Sequence, residues 1–123
     1  MSAWLWVALG GALGSAARYG VGLATAGIGA GRWPVATFLV NLAGCFAIGL
    51  LAAALERHVP RDEGLRAFLV VGVLGGFTTF SAFGLETLVL LRRGDWLIAG
   101  AYAAGSVFAG VAAAALGAWL ASR

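Results

Sequence analysis

Four long stretches of the chain are free or nearly free of charge: Ala3 to Ala24, Pro34 to Leu55, Ala67 to Leu91 and Trp96 to Ser122. Each has the ~20 residues that a helix needs to cross about 30 Å of hydrocarbon. The intervening pieces read as turns: Gly27 to Trp33 is glycine-rich and ends at Pro34, Glu56 to Arg66 is charged, and Arg92 to Asp95 is a short polar corner. The pattern predicts an all-α membrane protein, a single domain over residues 1–123 with transmembrane helices at about 3–24, 34–55, 67–91 and 96–122. Four alternating helices place both termini on one side. Trp4, Trp6, Trp33, Trp96 and Trp119 fall near the ends of these runs, where indoles sit at headgroup level.

Composition strengthens this reading. Of 123 residues, 62% are apolar and 11% charged, whereas a soluble domain carries about a quarter charged residues. So short a chain cannot bury that much apolar surface inside itself, so lipid is the expected solvent. Gly10 with Gly14, and Gly72 with Gly76, have the small-xxx-small spacing that lets helix backbones approach closely, within the chain or between chains.

The formal charge of +3 comes from arginine alone. Its scatter between the apolar runs suits membrane flanks and lacks the basic stripe of a nucleic-acid binder. One side would carry Arg57, Arg61, Arg66 and Arg123, and the other Arg32, Arg92 and Arg93, with Arg18 inside the first run. Orientation follows the arginine and lysine asymmetry between loops, so this near balance predicts insertion both ways. The single cysteine, Cys45, lies in an apolar run and reads as a packing residue. The opening lacks the basic start of a secretory signal, so the first run reads as a retained helix. Heavy Ala, Gly and Arg usage fits a GC-rich bacterium.

Polar groups inside membrane runs are functional candidates, because leaving them unpaired in hydrocarbon is costly. They are Arg18, Asn41, Glu86, Tyr102 and Ser106. No Ser-His-acid set, embedded histidine or paired carboxylates accompany them, which argues against an enzyme. Thr37 and Asn41 share a helix face, and the amide can serve a passing anion or bond a neighbouring helix. Tyr102 and Ser106 share a face by the same spacing. Gly75-Gly76-Phe77-Thr78-Thr79-Phe80-Ser81-Ala82-Phe83 makes a poor helix interior. A break there frees backbone groups that protein or an ion must satisfy; close helix crossing at the glycines is the other reading. Phe80 and Phe83 present electropositive ring edges that can favour a small anion, or they pack.

Three segments then carry a family resemblance: Gly10-Gly11-Ala12-Leu13-Gly14-Ser15-Ala16-Ala17-Arg18-Tyr19, Thr37-Phe38-Leu39-Val40-Asn41-Leu42-Ala43-Gly44, and the Gly75 to Phe83 segment followed by Glu86. In that order they resemble the Fluc (CrcB) fluoride channels over essentially the whole chain. The resemblance implies a passive fluoride channel of the bacterial inner membrane, built as an antiparallel, dual-topology homodimer with two pores, that expels cytoplasmic fluoride. It implies that Asn41, Phe80 and Phe83 line the pores, that Thr37, Tyr102 and Ser106 extend a polar track, and that Arg18 gathers anions at an entrance. It further implies that the main-chain carbonyls of Gly75 and Thr78 hold a structural Na+ at the dimer interface. The track ends at Gly110, where some relatives place a hydroxyl. Two alternatives are a small proton-coupled multidrug exporter and a non-transporting helix-packing subunit.

Overall fold

A computed structural model describes residues 2–29, 31–58 and 62–123, and over them the chain is helical with no strand. Helix α1 is Ala3–Ala24 and α2 is Val35–His58. Between them Gly27, Gly29 and Gly31 take positive φ of 86°, 89° and 74°, which glycine alone adopts readily. Pro34 ends this connector, and its carbonyl accepts the Phe38 N–H at 3.1 Å to start α2. Its missing N–H costs nothing at a helix start.

The third run is one bent element. Its first half, α3, spans residues 63–77: an α-helical turn Glu63–Arg66, a wider π-helical stretch Ala67–Leu74 and a closing α-helical turn Gly75–Phe77. Thr78 and Thr79 are extended, and α4 resumes at Phe80–Arg92. The predicted break therefore lies at the two threonines. α4 ends in a Schellman turn: Gly94 has φ 82°, its N–H reaches the Leu91 carbonyl, and the Asp95 N–H reaches Leu90, both at 3.0 Å. Helix α5, Trp96–Ala121, follows.

Two boundaries differ from the sequence reading. The charged piece Glu56 to Arg66 is not simply a turn, because α2 runs on through Glu56, Arg57 and His58. Moreover, α3 starts at Glu63, where the Asp62 carboxylate caps the Leu65 N–H at 2.8 Å. Arg61, expected on that flank, lies outside the described residues. Three elements among the described residues, α2, the bent 63–92 element and α5, are long and apolar enough to cross a membrane. α1, at 22 residues, also has the length of a span.

Glycines set how the helices pair. A Cβ at Gly10 or Gly14 would run into the α3 backbone at Phe68, Val73 and Phe77, and one at Gly72 or Gly76 would meet the α1 backbone. The small-residue motif thus joins α1 to α3 within the chain. α2 and α5 pair likewise, with Gly49 against the Ala114 backbone and Gly117 against Phe46 and Leu50. Tyr102, fully buried, packs with Leu90 and Ala99 where α5 meets α4. Outside these seams large apolar side chains face outward, as lipid requires: Leu97, Phe108 and Trp4 are mostly exposed.

Candidate functional site

The break organises the polar residues. Where an unbroken helix would bond the Thr79 N–H to the Gly75 carbonyl, the N–H instead donates to Asn41 Oδ1 at 2.8 Å, and Asn41 Nδ2 donates to the Thr79 carbonyl at 3.0 Å. One amide from α2 thereby closes both sides of a broken peptide and keeps one N–H in hand. On α1, Arg18 Nε donates to the Gly76 carbonyl at 3.0 Å. Thr79 also caps α4, its Oγ1 accepting the Ala82 N–H at 3.2 Å and lying 3.3 Å from Ser81 Oγ.

An interrupted helix leaves its last carbonyls without helical donors, and Gly75 and Thr78 are among those affected here. The Gly75 carbonyl loses Thr79 to Asn41, and the Thr78 carbonyl loses Ala82 to the Thr79 hydroxyl. Among the described residues no cluster of His, Cys, Asp or Glu could hold a metal. Both carbonyls are neutral oxygen ligands of the kind a hard cation accepts. Both residues line an open groove of about 300 Å³, together with Asn41, Cys45 and Phe80.

A second cleft, of about 240 Å³, lies between α1, α2 and α4 and is lined by Arg18, Tyr19, Thr37, Thr79 and Ala82. Its character is opposite. A guanidinium and the N-terminal end of α4 both favour negative charge there. The break thus separates a carbonyl-bearing groove from an anion-favouring cleft.

Thr37 and Tyr102 converge on Glu86. Thr37 Oγ1 donates to Oε1 at 2.6 Å and the Tyr102 hydroxyl to Oε2 at 2.8 Å, so both carboxylate oxygens are engaged from different helices. Ser106, one turn along α5, keeps a buried hydroxyl with no partner among the described residues. Phe83 packs on Tyr102 with ring centroids 5.2 Å apart, and Phe80 lies 5.6 Å from Phe83. Yet Phe80 is 82% exposed on the single chain. Beyond Ser106, Gly110 has no side chain and Cys45 Sγ occupies the space beside it.

The structure therefore gathers Arg18, Asn41, Gly75, Thr78 and Phe80 at the break, and Thr37, Phe83 and Tyr102 around Glu86. Two roles escaped the sequence reading. Thr79 is the pivot of the break, and a threonine followed by a helical run is a cap signal that could have found it. Glu86 is a hub, which required knowing that α2 and α5 flank the same turn of α4.

Fold and site together define a polytopic helical membrane protein with a polar seam through a broken helix. Residues 5–118 match the family described as CrcB-like protein, Camphor Resistance (CrcB), and the chain belongs to that family. It is similar to the fluoride-specific ion channel FluC of Hyphomonas neptunium, 50% identical over 100% of this chain and 98% of that relative. The FluC protein of Chloroflexus aurantiacus is 47% identical over 92% of this chain and 90% of its own length. That of Paracoccus denitrificans is 51% identical over 92% and 89%.

Proposed function

We propose that this chain is a passive fluoride channel rather than an enzyme, and that it expels fluoride from the bacterial cytoplasm across the inner membrane. The break carries the reading: the N-terminal end of α4 and Arg18 line one cleft beside Thr79, an arrangement that favours an anion. The relatives' names supply the ion. HF crosses lipid uncharged, ionises inside and is trapped, because a naked ion in hydrocarbon is prohibitive. A selective pore lets the negative-inside potential expel it.

In this proposal α1 crosses the membrane as a fourth span, its polar residues shielded by α3. The functional unit is an antiparallel homodimer with two pores, which covers the exposed Phe80 and the groove beside it. Asn41, Phe80 and Phe83 line each pore, Thr37, Tyr102 and Ser106 extend the polar track, and Arg18 draws anions to the entrance. Gly75 and Thr78 of both chains would hold one Na+, which supplies structural positive charge without being transported. Asn41 and Thr79 hold those carbonyls open.

The test is fluoride efflux from proteoliposomes containing only this protein. Rapid, uncoupled efflux is expected. Efflux that requires a proton gradient would point to an exporter, and none at all to a packing subunit. Replacing sodium throughout with a large organic cation is expected to lower dimer stability; unchanged stability would refute the cation site.

A further inference from the structure

Gly27, Ile28 and residues 31–34 of the connector face α4 across a groove of about 410 Å³, which reaches Glu86 at one end and otherwise lies apart from the proposed pore residues. Its walls are apolar. Ile28 and Leu85 are 59% and 63% exposed, and Val89 shares Leu85's face of α4 one turn on. The rim is cationic. Arg32 comes from the connector and Arg93 from the end of α4, with Arg93 Nη1 donating to the Gly31 carbonyl at 2.9 Å, which steadies the guanidinium and leaves its other N–H groups available. The acidic group lining the groove, Glu86, lies about 10 Å deeper along α4 at 1.5 Å per residue, and its carboxylate is engaged by Thr37 and Tyr102.

We propose that this groove binds one anionic phospholipid per chain, its acyl chain along Leu85 and Val89 and its phosphate between Arg32 and Arg93. The inference rests on the membrane-spanning reading above. Charge complementarity carries it: arginine forks match phosphate oxygens, and the apolar wall directly below suits only a ligand that has an acyl chain attached. A free phosphate would meet the rim alone.

Native mass spectrometry of the detergent-solubilised protein tests the site, with phosphatidylglycerol, phosphatidylcholine and inorganic phosphate as separate probes. Each interfacial basic residue favours an anionic lipid by about fivefold, so two arginines should give roughly 30-fold preferential retention of phosphatidylglycerol over phosphatidylcholine. Inorganic phosphate should not be retained. The double variant Arg32→Gln/Arg93→Gln should lose the preference. Arg93 also ties down Gly31, so two further variants separate charge from folding: Arg93→Lys should keep the preference, and Val89→Trp, which fills the groove with both arginines intact, should abolish retention. Equal retention of the two lipids by the wild type, retention of phosphatidylglycerol by Val89→Trp, or equal retention of inorganic phosphate would each overturn the proposal. Fluoride efflux from the same preparations keeps the two readings apart. Normal efflux without lipid preference rejects the lipid site alone, and lipid preference without efflux rejects the channel alone.

Discussion

Asn41 does more than offer a donor to an anion, because its amide satisfies both polar groups of the Thr79 peptide. Asn41→Ala would strand that N–H and carbonyl, at about 1–3 kcal/mol for each group left buried. We expect fluoride efflux to fall at least tenfold and the thermal midpoint to drop with it; a midpoint equal to wild type would show that water or lipid headgroups serve Thr79 equally well. The phenylalanines should separate differently. Phe80→Ile removes an exposed ring and is expected to impair efflux with little loss of stability, whereas Phe83→Ile also forfeits the contact with Tyr102 and should lower both. Equal effects of the two on stability would contradict that division. Asn41 stood out by residue type, since an amide is conspicuous in an apolar run, whereas Phe80 and Phe83 are ordinary there and drew notice only through the family resemblance. What they bond was not legible, because Thr37, Glu86 and Tyr102 meet only after three helices have packed.

At the scale of elements, helix pairing depends on where a backbone must touch another backbone. A Cβ at Gly14 would collide with Val73 and Phe77, while one at Gly105 meets open space. Gly14→Ala should therefore destabilise the α1–α3 pair by roughly 1–3 kcal/mol, as overpacking does. Gly105→Ala should be neutral or slightly stabilising, because alanine is the better helix former. Thermal unfolding in detergent would reveal the contrast, and equal behaviour of the two variants would refute the packing account. Spacing disclosed the Gly10, Gly14, Gly72 and Gly76 motif but not its partner, since the same pattern serves contacts within and between chains. The break was legible because two glycines and two threonines in nine residues defeat a continuous helix. The early start of α3 at Glu63 was hidden by charges that look like a loop but serve as a capped first turn.

For the whole molecule, the proposed antiparallel pair requires the chain to insert in both orientations. Lysines placed in the Gly27 to Trp33 connector should bias insertion one way and reduce efflux from cells in proportion, with a co-expressed variant biased the opposite way restoring it. Accessibility labelling from each side of the membrane reads the orientation directly; a wild type found in one orientation only would exclude the antiparallel dimer. The even spread of arginines made this expectation legible.

The pairing of α1 with α3 has a consequence for synthesis. The Gly10 and Gly14 face of α1 is cut for a partner that is synthesised only after Glu63. Until then the growing chain holds a helix with an uncovered seam. We expect chains arrested before Glu63 to be degraded rapidly by membrane proteases, while those arrested after Phe77 persist. Between those two points the unpaired face of α1 is what a protease would meet.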